Sequence, residues 1–458
     1  MNFIKKYLTA LIILIIFTIG IYFRISWYGD LRLSVANAET DSYMSSARNS
    51  IFSWKIFAGQ RLFTTNLIYK FANDPIECPI TSYGKPGIGE EVERKVQACF
   101  DKVAILQNYL SILGWCFLGW VIASKMQTPI VKVFSASAVM LFGFTPQIAE
   151  WDSVLSPESL SLSIFAIVLG IAIELAFAVA KSDVAFSTKK EKVLTTFLLI
   201  SFLLWVFVRD VHLYAIPITL ALITPLFFTT KFKSSKVVFT SFIILLFFFV
   251  LGYLSARDSL RATRYPLMNA LDEYILPYPS RVEFFKKYGM PEKEAASYFD
   301  APIYQAWADK NATKAYAVFL VSHPGFVATT LWENMDLLNG DYVQPYFLTE
   351  EIKNRDFLLV IGEMFNAESG IIYLLTFLIA IIFLTKLITN KSTVLSPWVW
   401  LGVWMYGVAI ATLLISYFGD TAGLRRHIMP SVEFVRLHLL VFLLPIIDIA
   451  LSKDTKLT

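Results

Sequence analysis

The chain has 458 residues, 56% of them hydrophobic, and a mean hydropathy of +0.58, which together exclude a water-soluble globular protein. The net charge of +4 says little, because the charges are so unevenly spread along the chain. No nucleic-acid partner is expected.

A bilayer core takes about 20 apolar residues per helix. Spans are predicted at 7–23, 104–123, 131–146, 159–180, 193–208, 212–229, 237–254, 370–387, 398–417 and 435–451. The fold class is therefore all-α and polytopic, with about ten transmembrane helices and two long, mainly helical loops on one side. Three regions follow: an N-terminal membrane module over 1–254 that includes the first loop, 24–103; a helical region outside the membrane over 255–369; and C-terminal spans over 370–458.

In chain order, the first span is followed by Tyr22-Phe23-Arg24-Ile25-Ser26-Trp27, which lacks a small-x-small cleavage site, so it reads as a helix rather than a signal peptide. Beyond it, Glu39-Thr40-Asp41-Ser42-Tyr43 offers a carboxylate for proton transfer, or merely a helix N-cap, and residues 41–52 read as a helix. Phe52 to Trp54 suit a membrane interface. Cys78 and Cys99 share this loop, and outside the cytoplasm their spacing suggests a disulfide; Cys116, inside a span, reads as a core residue.

Glu150-Trp151-Asp152 and Ser156-Pro157-Glu158 follow the third span. Proline and an acid in a first helical turn account for Glu158, but not for Glu150 and Asp152 together beside a membrane. Arg209-Asp210-Val211-His212 fills a turn between two apolar runs, either as mutually neutralising charges or as a functional group of polar side chains. Arg257, Arg261 and Arg264 leave the seventh span, and the second loop holds helical candidates at 271–274, 282–288 and 305–321 separated by prolines. Neither loop alternates like a sheet. Gly419 to His427 ends in Arg425, Arg426 and His427, donors fit for a phosphate.

The loops then sort by cation. One set, from Lys5 and Lys6 through Lys125, Lys181 and Lys231 to Lys456, carries lysine alone; the other holds all fourteen arginines and most acids. Short lysine loops mark the cytoplasmic face, which predicts both termini inside and the arginine face outside. Few charges fall mid-membrane, Glu174 and Asp448 being the main exceptions, whereas an ion-coupled transporter would pair charges there.

The motifs Asp41-Ser42-Tyr43 leading to Gly59-Gln60-Arg61-Leu62-Phe63, Glu150-Trp151-Asp152 with Glu158-Ser159-Leu160-Ser161, and Arg209-Asp210-Val211-His212 resemble the GT-C superfamily of integral-membrane glycosyltransferases, the group of protein mannosyltransferases and lipid A aminoarabinose transferases. Pro266-Leu267-Met268-Asn269, Leu276-Pro277-Tyr278-Pro279 and His323-Pro324-Gly325 resemble a bacterial branch of it, although that branch places an acid where this chain has Gly423. The resemblance implies transfer of a sugar from a polyprenyl-phosphate donor to a hydroxyl of a lipid or glycan acceptor, with inversion, in cell-envelope modification at a bacterial inner membrane. It implies Asp41 as base, Asp152 and Glu150 as second acids, and Arg209, His212, Arg257, Arg261, Arg426 and His427 on the phosphate side. Asp41 and Asp152 are also the candidates for a divalent cation, Mg²⁺ or Mn²⁺. No nucleotide cofactor is expected, since no phosphate-binding glycine motif is present. The alternatives are a lipid-linked glycan flippase or transporter, and an O-antigen-type polymerase or ligase.

Overall fold

The computed structural model describes residues 2–72, 79–85, 92–97, 99–182, 186–233, 235–259, 261, 265–292, 302–389 and 396–454. The first span is α1 (Asn2–Tyr28). The first loop contributes β1 (Leu33–Ser34), α2 (Thr40–Ala47), α3 (Lys55–Ala58), α4 (Phe63–Ala72) and β2 (Lys95–Val96). β1 and β2 pair antiparallel, Leu33 opposite Val96, a two-stranded element that the loop's composition does not announce. Then come α5 (Asp101–Lys125), α6 (Pro129–Phe144), α7 (Pro146–Ala149), α8 (Pro157–Lys181), α9 (Lys189–Val206), α10 (Ala215–Ile223) and α11 (Lys236–Asp258). The second loop is α12 (Pro266–Tyr274), α13 (Pro279–Lys286), α14 (Pro302–Trp307), α15 (Thr313–Ser322), α16 (Pro324–Glu333), α17 (Met335–Asn339) and α18 (Arg355–Phe365), mostly opened by the prolines that divide it. Three long helices close the chain: α19 (Ile371–Thr389), α20 (Pro397–Gly419) and α21 (Leu424–Asp454).

Among the described residues, eight helices are long and apolar enough to cross a membrane, and the number is ten where each of two bent helix pairs counts as one span. One bent pair is α6 with the segment Pro146–Ser153, turned by 50° at Thr145. The other, α14 to α16, turns by 83° and lies where the sequence reads a helical candidate at 305–321 outside the membrane; it is apolar enough to enter the bilayer. α9 is a helix where a span is expected, but Lys189, Lys190, Glu191 and Lys192 fill its first turn.

α8 is the centre of the bundle. Its most apolar stretch is 61% buried, against 17% in α1 and 22% in α11 and α19, which therefore face lipid. Ser159, Ser161 and Ser163 keep its surface narrow, and Gly114 of α5 approaches so closely that a Cβ there would lie 2.7 Å from the Ser163 carbonyl oxygen. α5, α9, α20 and α21 all pack on it. The second loop has its own apolar core, with Leu271, Phe285, Trp307 and Phe319 at its centre.

Arg24 meets Asp152, Glu158 meets Arg209 and Arg426, Trp54 meets Asp258 and Asn269 meets Asp420, so the ends at Tyr28, Ser153, Pro157, Val206, Asp258, Gly419 and Leu424 share one face with both long loops. The opposite face carries Lys125 bonded to Glu174 at 2.5 Å. There too Asp448 of α21 accepts from the Gln127 and Thr128 amides (2.6 and 2.9 Å), capping the start of α6 from across the bundle. One arginine departs from the rim. Arg436 stands twelve residues into α21, about 18 Å along it by helical rise, and pairs with Glu433 at 2.6 Å, so buried charges reach deeper than the sequence suggests.

Candidate functional site

Four chain segments converge on the arginine face. Glu158 occupies the second position of α8, after the extended Ser156 and the proline that opens the helix. Arg209 follows α9 in extended conformation, before a 3₁₀ turn over Asp210–Tyr214. Gly423, with φ of +65°, turns the chain from α20 into α21 and so presents Arg426 and His427 in the first helical turn. That left-handed position suits a residue without a Cβ. Glu39 stands at the N-terminus of α2, and the first loop adds Arg61.

Glu158 is fully buried, with its Oε1 3.6 Å from Arg209 Nη1 and 3.9 Å from Arg426 Nε. Neither carboxylate oxygen accepts a hydrogen bond, and Arg209 Nη1 likewise has no acceptor. His427 lies between the same two arginines, Nδ1 at 3.4 Å from Arg209 and Nε2 at 3.3 Å from Arg426. A neutral imidazole accepts at one nitrogen only, so only one of these contacts is a hydrogen bond at a time. Arg426 also bonds Glu39, whose other oxygen meets Arg61 at 3.0 Å and the Tyr43 hydroxyl at 3.1 Å. Arg61 lies over the Tyr43 ring, 4.4 Å from its centre, and donates to Ser42 Oγ at 2.6 Å.

The cluster thus holds three guanidiniums against two carboxylates, an excess of positive charge in a poorly hydrated place. Burial alone would raise the Glu39 carboxyl, but Arg426 and Arg61 overcome it and hold it down at about 2. At the rim, Asp420 accepts from Asn269 Nδ2 (2.9 Å) and the Ala422 amide (3.0 Å). Burial raises its carboxyl, and those two hydrogen bonds pull it partly back.

Of the sequence candidates, the structure brings Arg209, Arg426 and His427 together. Asp41 is exposed on the other side of α2, accepting from the Tyr83 hydroxyl at 3.0 and 3.2 Å. Asp152 is buried and committed to Arg24 at 3.0 Å, with Ser159 Oγ donating at 2.5 Å. Glu150 is buried against Arg355 at 2.6 Å, and Gln344 Nε2 donates to it at 3.3 Å. Both acids are buried rather than open at the rim: Glu150 is covered by Arg355 and Gln344 of the second loop, and Asp152 is enclosed by Arg24 of α1, Asn108 of α5 and Ser159 of α8.

His212 is a core residue, stacked on Trp205 with ring centres 4.3 Å apart and Nδ1 3.2 Å from the Trp205 carbonyl oxygen. Arg261 pairs with Asp210 at 3.2 Å and donates to the Gly59 oxygen at 2.6 Å, tying α11 to the first loop, while Arg257 is exposed. Cys99 is disulfide-bonded and Cys116 is a free thiol; Cys78 and Arg264 lie outside the described residues. Asp41 and Asp152 do not meet, so they do not form a shared metal site. Among the described residues no three His, Cys, Asp or Glu side chains are grouped to hold a metal.

Three residues of the cluster went unassigned in the sequence. Glu39 was legible only through spacing: it and Tyr43 are four apart and share a helical face, whereas Asp41 does not. Glu158 was absorbed by its helix-start role. Arg61 carried no signal beyond its place in a short motif.

No protein-family model and no curated protein matches the chain. Solved structures of the Archaeoglobus fulgidus oligosaccharyltransferase resemble it. One, AglB in complex with an inhibitory peptide and a dolichol-phosphate, has a TM-score of 0.42 and 13% identity over 95% of this chain and 50% of that one. A second, in complex with Zn and sulfate, gives 0.41 and 12% over 96% and 51%. A third, tethered to an acceptor peptide containing the NVT sequon, gives 0.39 and 12% over 96% and 50%. The chain spans about half the length of these proteins. All three scores fall below 0.5, too low to assign chemistry.

Proposed function

We propose that the chain is a GT-C-type glycosyltransferase of a bacterial inner membrane, moving a sugar from a polyprenyl-phosphate donor to a hydroxyl of a lipid or glycan acceptor. Both termini are cytoplasmic in this reading, and the arginine face is extracytoplasmic. The observation that carries it is the meeting of Arg61, Arg209 and Arg426 with His427 at the ends of membrane helices. A guanidinium excess placed there suits a phosphate whose lipid tail stays in the bilayer.

In the reaction, the acceptor oxygen bonds to the anomeric carbon from the face opposite the phosphate, inverting it. The bond from that carbon to the phosphate oxygen breaks, and polyprenyl phosphate leaves with the electron pair, stabilised by the arginines. The acceptor's proton goes to a carboxylate. Glu39 is a poor recipient, pinned by two guanidiniums. Asp41 accepts from the Tyr83 hydroxyl and is open to solvent, so it takes the proton. Glu158 orients Arg209 and Arg426.

A polymerase or ligase acting on polyprenyl-diphosphate glycans is the second reading, favoured by the Arg–His–Arg contact and by the separation of Asp41 from it. Purified protein given a polyprenyl-phosphate sugar and acceptor should release polyprenyl phosphate, and Arg426→Ala should abolish the release. Transfer that survives Asp41→Asn but not Arg426→Ala selects the ligase reading. No release by the wild type from any such donor overturns the proposal.

A further inference from the structure

Three faces can be told apart around α18. Leu358 and Gly362 are buried, and Phe365 beside them meets Phe142 of α6 edge to face, with ring centres 6.0 Å apart. Gly362 has no room for a Cβ, because Gln147 of α7 lies against it. Phe357, Val360, Ile361 and Met364 recur at the spacing of a second helical stripe. That stripe points away from the protein: Phe357, Val360 and Met364 are 58%, 59% and 78% exposed. Asp356 and Glu363 form an exposed acidic edge beside it. The helix has 11 residues, too few to cross a bilayer core, which takes about 20.

The direction of α18 follows from what its ends touch. Near its start, Phe357 packs edge to face on Trp27, in the last turn of α1, with ring centres 6.3 Å apart. Just before the helix, the Lys353 amide donates to the Trp27 carbonyl oxygen at 3.0 Å. At its end, Phe365 packs on Phe142, in the last turn of α6. Those two span ends stand at one level, since the Tyr28 hydroxyl donates to the Phe144 carbonyl oxygen at 2.8 Å. Both ends of α18 therefore sit at the same depth, and the helix runs across the rim of the bundle rather than along the spans. Its exposed stripe continues into lipid-facing surface on both sides. Tyr22 and Phe23 of α1 are exposed, and after the short link 366–370 the chain enters α19, where Ile371 and Leu374 are exposed as well.

We propose that α18 is an in-plane membrane helix, seated in the leaflet on the arginine face. Phe357, Val360, Ile361 and Met364 lie among the acyl chains, and Asp356 and Glu363 stay in water. Helices of this kind sink about 5–10 Å into the boundary between headgroups and acyl chains. The acidic edge offers no attraction to anionic headgroups, so apolar area supplies the seating and a zwitterionic lipid suffices. On the other side of α18, Arg355 holds Glu150 at 2.6 Å, so the bilayer surface supports the segment that follows α6. The seating is independent of the sugar-transfer reading.

The test uses the full chain carrying Cys116→Ser, in phosphatidylcholine nanodiscs, with a nitroxide spin label on a cysteine placed in turn at Asp356, Phe357, Val360, Ile361, Glu363 and Met364. None of these side chains is buried, so the labels leave the fold intact. Collisions with oxygen, which partitions into lipid, should exceed those with a water-soluble nickel chelate at the four apolar positions. The order should reverse at the two acidic ones. The depths at Phe357 and Met364 should agree, whereas a helix along the membrane normal would separate them by about 10 Å. Nickel collisions prevailing at the apolar positions would put the stripe in water and overturn the proposal. Unequal depths at the two ends would overturn it too, as would exclusion of both reagents from the stripe, the result expected if a second copy of the chain covers it.

Discussion

Glu39 and Asp41 stand two residues apart at the head of α2 and serve opposite faces of it. Glu39 turns inward to Arg426 and Arg61, and Asp41 outward to Tyr83. A helical step of two residues is about 200°, so one turn presents a charge-paired acid and an unpaired one. Their variants should therefore separate kinetically. Asp41→Asn should lower kcat by about 10²- to 10⁴-fold, the usual contribution of a general base, with the KM for donor little changed. Glu39→Gln should mainly raise that KM, because it frees Arg426 and Arg61 from their preset orientation. Steady-state transfer assays on both variants decide the assignment; the same defect in both would remove it.

The Glu39 environment also predicts a pH response. Its carboxyl is held at about 2 in the folded protein, against an ordinary value of 4.5. A depressed acid contributes stability that is complete above the unfolded value and is lost as pH falls through the folded one. Tm should thus fall between pH 4.5 and about 2 in the wild type, and this part of the fall should be absent from Glu39→Gln. Identical acid profiles for the two proteins would show that the pairing contributes nothing.

The Arg24–Asp152 pair is buried at both ends and links α1 to the segment after α6. Removing one partner leaves an uncompensated charge, at a cost of about 3–5 kcal/mol. Asp152→Ala should therefore lower Tm strongly and lose transfer only in proportion to folded protein. Replacing both residues with apolar ones of similar volume should recover much of the loss. A stable Asp152→Ala protein without activity would return Asp152 to the chemistry.

The spans were legible because about 20 consecutive apolar residues admit few other structures in a chain this hydrophobic. α8 shows the limit: hydropathy marks it as one span among ten, and nothing in its composition marks it as the centre. The bend at Thr145 was invisible for a related reason. The predicted span simply ends at Pro146, and periodicity cannot say in which direction the following segment sets off, so Glu150 and Asp152 read only as acids beside a membrane. Arg209, Arg426 and His427 were found because arginine at a span end is costly without a partner. Their partners Glu39 and Glu158 each had a sufficient local explanation as cap or dipole residues, and only the fold brings 387 positions of separation down to a bond between Glu39 and Arg426.

Orientation across the membrane is the premise beneath the donor chemistry, since a polyprenyl-phosphate sugar presented outside cannot reach a cytoplasmic cluster. Phe52, 99% exposed in the first loop, and Lys233, exposed in the turn before α11, lie on opposite faces of the bundle. Cysteine placed at Phe52 should react with a membrane-impermeant maleimide in intact cells, and cysteine at Lys233 only after permeabilisation. The unsubstituted chain supplies the background from Cys116. The reverse pattern would put Arg61, Arg209 and Arg426 in the cytosol, where the lysine loops are assigned, and the transfer reaction would lose its donor.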